Sequence, residues 1–384
     1  MESMNLALTE EQQMVQTAVR EFAQNEIAPL AREYDEAEKF PRKQLDGLAE
    51  LGLLGMIIPE EYGGAGFDAV SYALALEEIA KADASVAVIV SVTNSVCCYP
   101  ILSWGSEEQK QKYLVPLAKG EMLGAFCLSE PQAGSDATNL KTRAVADDNF
   151  FVLNGTKSWV TNGGEAGIYL VMAVTGENNG RKEISAFLIE GETKGLEVSS
   201  IEHKMGQRAS QTTEMSLTDV KVPKENLLGE VGNGLKVAFS SLDNGRIGIA
   251  SLSVGIAQAA LEEATTYAKA RTAFGQPIAE FQAIQHKLAD MATATEAARL
   301  LTLRAAAMKD ANHKQAGFFA SMAKLFASEN VNKVCAEAIQ IHGGNGYSRH
   351  YNVEKYYRDA RITTIYEGTS EMQRIIISRG ILKD

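Results

Sequence analysis

Cysteine is scarce in this chain: Cys97, Cys98, Cys127 and Cys335 are the four in 384 residues. So few give no disulfide framework, and the adjacent Cys97 and Cys98 could bridge each other only with strain. Reduced thiols in a cytoplasmic setting are the expected state. No uninterrupted run of roughly 18 apolar residues occurs, so no membrane span is expected. Met1 to Glu11 is polar and acidic, without the basic start and apolar core of a secretory signal or the arginines of a transit peptide. Positive charge is also short, with 37 Lys and Arg against 49 Asp and Glu for a formal net charge of -12. An acidic surface repels phosphate backbones, and no concentrated basic patch offsets it, so a nucleic-acid role is not expected.

Several catalytic signatures are missing as well. No G-x-G-x-x-G opens a helix after a strand and no G-x-x-x-x-G-K-[ST] occurs, which leaves Rossmann and P-loop nucleotide sites unsupported. There is no H-E-x-x-H and no G-x-S-x-G. The five histidines (His203, His286, His313, His342 and His350) lie apart from Cys or Asp at ligand spacing, so no metal site is expected. A nucleotide cofactor, if bound, must sit in some other fold.

Periodicity organises what is there. To about residue 122 the chain reads helical. Thr9 with Gln12 matches a capping box, and Met14, Ala18 and Phe22 with Val15, Val19 and Ala23 form an apolar stripe. The Gly63-Gly64-Ala65-Gly66 turn interrupts; a helix then begins near Asp68 and an apolar one runs from Ser85 to Val96. From about Gly124 to Gly229 strand signals take over. Asn154-Gly155 and Asn178-Asn179-Gly180 each sit between apolar runs and predict hairpin turns. Met215, Leu217, Val220 and Val222 nearly alternate until Pro223. Helical apolar spacing returns over 235–270, 281–311 and 315–341, with Leu288, Met291, Ala292 and Leu300 as examples in the second. This order predicts an α+β protein: an N-terminal helical domain (1–122), a small middle β domain (123–230) and a C-terminal four-helix-bundle-like domain (231–384).

Three segments carry the chemistry: Phe126-Cys127-Leu128-Ser129-Glu130-Pro131-Gln132-Ala133-Gly134-Ser135-Asp136, Trp159-Val160-Thr161-Asn162-Gly163, and Tyr366-Glu367-Gly368-Thr369-Ser370-Glu371. In the first, small residues let backbone N–H groups approach a phosphate and Ser129 and Ser135 add hydroxyls, although an Asx-type loop has the same composition. A tryptophan on a strand ordinarily packs into a core, and a glutamate between Tyr and Gly is ordinarily a solvated loop residue. Taken together, in this order and spacing, the segments resemble the acyl-CoA dehydrogenase family over essentially the whole chain, and closest to its short-chain, butyryl-type members.

The resemblance implies a homotetrameric FAD enzyme that oxidises an acyl-CoA to its 2-enoyl-CoA and passes electrons to electron-transferring flavoprotein. It implies flavin contacts from Ser129, from the backbone of Phe126 and Leu128, and from Gly134, Trp159, Thr161, Thr369 and Glu371. Ser135 would touch both cofactor and substrate. Arg271, Phe274, Phe281, Gln282, Gln340, Gly343 and Gly344 would reach FAD on a neighbouring subunit. Asp243 and Arg246 would line the acyl-CoA entrance, with Tyr366 and Gly368 beside the substrate. Glu367 would be the base that takes the α-proton, made less acidic by burial.

Two absences bear on the substrate. Some relatives place the base just before the arginine of the Asp243–Arg246 helix, where this chain has Gly245. Relatives that take glutaryl-CoA carry a pocket arginine where this chain has Ala87. Ser91-Val92-Thr93-Asn94-Ser95 resembles the short-chain members, so acyl groups of about four to six carbons are expected, with small branched chains next. An oxidase-like relative, or a scaffold that keeps the fold without flavin, are the competing readings.

Overall fold

The computed structural model describes residues 7–382; the start of the polar Met1–Glu11 stretch lies outside them. The N-terminal region is helical. After α1 (Glu10–Phe22), helices α2 (Ala31–Ala37) and α3 (Arg42–Glu50) lead to α4 (Ala69–Ala82) and α5 (Ala84–Val92). Then come α6 (Tyr99–Trp104) and the short α7 (Glu107–Gln109) and α8 (Val115–Ala118). The capping box forms as expected: Gln12 N donates to Thr9 Oγ1 at 3.2 Å and Thr9 N to Gln12 Oε1 at 3.0 Å. The inward face of α1 differs from the anticipated stripe. Gln12, Val19 and Ala23 are buried, while Met14 is 72% exposed.

The segment Ala84–Trp104 is long and apolar enough to cross a membrane by length and composition, which apolar runs alone had not indicated. In the fold, 89% of its most apolar window is buried inside the protein.

A sheet follows, built from β1 (Gly124–Cys127), β2 (Arg143–Asp147), β3 (Phe150–Thr161), β4 (Ile168–Asn178), β5 (Arg181–Glu190), β6 (Leu196–Ile201), β7 (Thr212–Pro223) and β8 (Leu227–Leu228). Their order is β6-β7-β3-β2-β4-β5-β8, with β1 parallel beside β4. Asn179-Gly180 forms the two-residue hairpin turn anticipated between β4 and β5, with positive φ at both residues. Asn154-Gly155 does not turn the chain. It is a bulge inside the single strand β3, and the hairpin turns instead at Asp148-Asn149. The bulge needs glycine because a Cβ on Gly155 would lie 2.4 Å from Thr142 Oγ1.

The C-terminal region contains α9 (Gly234–Ala270), the small β9 (Thr272–Ala273) and β10 (Gln276–Pro277) hairpin, α10 (Gln282–Asp310), α11 (Ala316–His342), α12 (Val353–Arg361) and α13 (Ser370–Ile381). The three long helices match the helical periodicity closely. On α10 the buried face is Met291, Thr295, Ala298, Thr302 and Ala305, whereas Leu300 is 40% exposed, contrary to the anticipated stripe.

The two helical regions share one core. Tyr72, Leu76, Ile79, Val86 and Ile89 from α4 and α5 are packed with Ile247, Leu252, Ile256, Val331 and Val334 from α9 and α11. A second cluster joins the sheet to α6 and α8 through Ile101, Leu117, Leu170, Met172 and Leu188. The result is an α+β fold in which the sheet packs on a helical body; residues 124–161 run from β1 through a loop and β2 into β3, and 366–371 run from a turn into α13.

Candidate active site

Glu367 sits where the chain leaves a short 3₁₀ turn (Ile362–Thr364) and enters α13. Its φ is +50 and that of Gly368 is +91, so two consecutive residues are left-handed. Such backbone favours glycine, and for glutamate it is a strain the surroundings must hold. Gln373 Nε2 on α13 donates to Gly368 O at 3.0 Å, and Thr369 caps α13 by accepting from Met372 N at 3.3 Å. The turn directs the Glu367 side chain toward α9. There Gly245 makes room: a Cβ at that position would stand 2.1 Å from Glu367 Oε2.

The carboxyl group is enclosed although the residue as a whole is partly exposed. Oε2 is buried and has no hydrogen-bond partner. Burial pushes its pKa up to about 7, against the pull of Lys324 and Arg246. Arg246 is itself paired, its Nη1 donating to Asp243 Oδ1 at 2.6 Å, with Nε buried and unpartnered. Asp243 and Arg246 thus form a partly buried pair, with Arg246 near enough to Glu367 to pull its pKa down. Tyr366 is fixed from the sheet side: Gln207 Nε2 donates to its hydroxyl at 3.2 Å, and Gln207 N donates to Asp359 Oδ1 at 2.5 Å.

The loop after β1 is anchored from beneath. Ser158 N on β3 donates to Ser129 O at 2.9 Å, and Glu130 and Ala133 exchange both backbone hydrogen bonds. The buried pair Lys157 Nζ to Glu130 Oε1 at 2.7 Å holds the same turn, and Lys157 also donates to Leu128 O at 3.2 Å. Glu130 accepts further from Lys141 N and Thr142 N. Above these anchors Gly134 and Ser135 face outward, with no atom within 4 Å of a Cβ placed on Gly134. Trp159 is 62% exposed with φ +60, set outward by a second bulge between Lys157 and Val160. The core reading of this tryptophan therefore fails. Buried Val160 separates it from the half-buried Thr161, and both flank the strand's outer side.

A third group lies apart from Glu367. Arg271, Gly343 and Gly344 line a cleft of about 400 Å³ with Tyr267, Ile278, Ile341, His342 and Asn345. A Cβ on Gly343 or Gly344 would meet nothing within 4 Å. Neither Glu367 nor the Ser129–Ser135 loop lines this cleft. Phe274 stands 97% exposed at the β9–β10 hairpin, in edge contact with Phe281 at 6.1 Å. Gln282 and Gln340 are exposed at the ends of α10 and α11, and Glu371 is exposed in the first turn of α13.

Four supporting residues escaped the sequence reading: Lys157 beneath the loop, Gln207 on Tyr366, and Lys324 and Gln373 behind Glu367. Lys324 was the most discoverable, since it interrupts an apolar stripe of Ala320, Ala323, Ala327 and Val331 on one helix.

Comparison with known proteins agrees along the whole chain. Models for the N-terminal, middle and C-terminal domains of acyl-CoA dehydrogenases match residues 9–121, 125–220 and 232–382. The bovine (Bos taurus) mitochondrial short-chain specific acyl-CoA dehydrogenase is 49% identical over 379 residues, spanning 99% of this chain and 92% of its own. Butyryl-CoA dehydrogenase from Megasphaera elsdenii superposes with a TM-score of 0.96 at 45% identity, covering 99% of this chain and 100% of its own. A chain from structural work on the electron transferring flavoprotein of Acidaminococcus fermentans and flavin-based electron bifurcation superposes at 0.97 with 46% identity, covering 99% and 100%. The chain belongs to the acyl-CoA dehydrogenase family and is an FAD-dependent oxidoreductase.

Proposed function

We propose that this enzyme oxidises short acyl-CoA thioesters between Cα and Cβ to the trans-2-enoyl-CoA, with Glu367 as the base. The observation that carries this reading is the enclosed Glu367 carboxyl, its Oε2 unpartnered and facing a side-chain-free Gly245. A carboxylate with a pKa of about 7 is ionised enough to accept a proton at neutral pH and basic enough to make the transfer favourable.

The residues present fit FAD. The outward-set Trp159 offers a ring face, Gly134 and Ser135 leave open backbone for a phosphate, and the Arg271–Gly344 cleft supplies a cation beside bare glycine backbone. Phe126, Leu128, Ser129 and Thr161 belong with Trp159 and the Gly134–Ser135 loop, Thr369 and Glu371 with the α13 turn beside Glu367, and Phe274, Phe281, Gln282 and Gln340 with the cleft. When bound, FAD supplies the acceptor for the β-hydrogen and its electron pair. The protein does the rest. Glu367 takes the α-proton as the Cα–H bond breaks. Its backbone N–H, in a turn where Ile365 N and Tyr366 N both bond Ile362 O, is the donor for the developing charge on the thioester oxygen. Arg246, held by Asp243, meets the CoA arm. Tyr366, fixed by Gln207, and Gly368 border the acyl chain.

The pocket supports a short chain. Gly248 on α9 leaves no room for a Cβ, with Ser91 Oγ at 2.3 Å and Tyr72 Oη at 2.6 Å. Tyr72 and Ser91 bond each other at 3.1 Å, and Tyr72 lies near enough to Glu367 to feel its charge. Ala87 is fully buried, so a distal carboxylate there would lack a partner. The separation of the Arg271 cleft from Glu367 supports a homotetramer in which that cleft serves a neighbour's cofactor. Exposed Ile365, Ile375 and Ile381 are consistent with association. The similarity to a chain studied with an electron-transferring flavoprotein supports such a protein as electron acceptor. Four buried, unpaired cysteines support a reducing, cytoplasmic setting.

The test is anaerobic: the yellow holoenzyme should bleach on adding butyryl-CoA, and kcat/KM should peak at about four to six carbons. A peak at eight carbons or beyond, or strong activity on glutaryl-CoA, would overturn the pocket assignment. Rapid re-oxidation by air with peroxide release would make the enzyme an oxidase.

A further inference from the structure

Lys324 is a cation in the wrong place for a solvated side chain. It projects from α11 with a fully buried side chain, among the largest such residues in the molecule. Its Nζ donates to the carbonyl of Gly368 at 2.8 Å. Among the described residues it forms no ion pair within 4.0 Å. A buried ammonium without a carboxylate in contact is costly, so its retention calls for a use.

The acceptor it chooses is informative. Gly368 O belongs to the left-handed pair Glu367–Gly368, and Lys324 holds that pair from α11 while Gln373 holds it from α13. We propose that Lys324 is a positioning residue for the reaction: locked onto the Gly368 carbonyl, its ammonium both fixes the turn that aims the Glu367 carboxylate and stabilises that carboxylate in its ionised form. This rests on the assignment of Glu367 as the base.

The charged surroundings favour Lys324 over its neighbours in the second role. Glu367 is faced by Lys324 from α11, by Arg246 with its partner Asp243 from α9, by Tyr72 from α4 and by the adjacent Tyr366. Arg246 spends much of its field on Asp243 at 2.6 Å. Lys324 faces Glu367, Arg246 and, more weakly, Glu371 on α13, with no contact pair to offset it. Burial pushes the lysine down to about 8 and the glutamate up to about 7, and each charge holds the other in its ionised form.

The test uses the holoenzyme with butyryl-CoA and compares pH profiles of kcat/KM for wild type, Lys324→Gln and Lys324→Met. In wild type the rate should rise through an acid limb near pH 7. Loss of the cation disfavours the carboxylate, so the limb should move up by about one pH unit or more in both variants, a tenfold loss at a fixed pH below it. Glutamine keeps a donor for Gly368 O, so Lys324→Gln should recover the high-pH plateau, while Lys324→Met should fall below it. Lys324→Gln thus leaves Gly368 O a donor, and a thermal melt with the flavin spectrum establishes that each variant is folded before its profile is read. A limb unmoved in both variants overturns the electrostatic role, and equal plateaus in Gln and Met variants overturn the positioning role. Glu367→Gln, run alongside, separates this from the base assignment. If it is active, the base is elsewhere. If it is inactive while Lys324→Gln matches wild type, the base stands and this inference falls.

Discussion

Replacing Gly245 with alanine probes the space that the Glu367 carboxylate occupies. The new Cβ would lie 2.1 Å from Oε2 and 3.0 Å from the carboxyl carbon. The group it meets is the end of a flexible side chain, so the carboxylate must yield rather than helix α9. To reach the 3.4 Å of an ordinary contact, Oε2 must retreat by at least about 1.3 Å. Displacements of about 1 Å in a catalytic group cost on the order of a hundredfold in rate, or roughly 2.7 kcal/mol of barrier. Stability should move the other way, because alanine is favoured over glycine inside a helix by up to about 1 kcal/mol. The assay is kcat/KM on butyryl-CoA beside a thermal melt and the visible flavin spectrum. The expected result is a roughly hundredfold slower enzyme that is yellow and melts no lower than wild type. Activity within threefold of wild type would refute the claim that Gly245 exists to seat the base.

Two further substitutions separate scaffold from contact. Lys157→Met strands Glu130 without its buried partner, and breaking such a pair costs about 3–5 kcal/mol, so the melting temperature should fall sharply. Adding Glu130→Gln should restore part of the loss; a double variant no better than the single would count against the pair as the loop's anchor. Trp159→Ala removes an outward ring and should leave stability within about 0.5 kcal/mol, yet weaken FAD binding to apoprotein about tenfold. Unchanged FAD affinity in a titration would remove Trp159 from the flavin site.

Long, strongly periodic segments were legible in the sequence because helical burial repeats every 3.6 residues, and the three C-terminal helices fell within a residue or two of their observed ends. Asn154-Gly155 was not, since the same dipeptide serves a tight turn and a bulge, and only the pairing with Thr142 and β7 decides between them. The exposed Met14 and Leu300 show the same limit: spacing names a stripe, but the neighbouring element decides which edge of it is covered. At the candidate site, Glu367 and the Ser129–Ser135 loop were named from local motifs through the family resemblance they carry. Of their supports, Lys324 and Gln207 were missed because their partners are distant in sequence, whereas Gln373 lies only five residues from Gly368 and carries no motif of its own. Lys324 reaches Gly368 across 44 residues and Gln207 reaches Tyr366 across 159, and no local pattern encodes either.

The central claim is that Glu367 removes the α-proton, and Glu367→Gln tests it by keeping the shape while removing the charge. Burial raises this group from an ordinary 4.5 to about 7, so the native protein retains a proton between those values that the unfolded chain has released. The associated penalty on folding is absent below about pH 4.5 and complete above about 7, so the glutamine variant should be at least as stable at pH 8. The measurement is anaerobic flavin reduction by butyryl-CoA at pH 8, followed by stopped flow. The account predicts a protein that is yellow and still binds acyl-CoA, but whose flavin is reduced at least about a thousandfold more slowly than wild type. Reduction at more than a small fraction of the wild-type rate would contradict it.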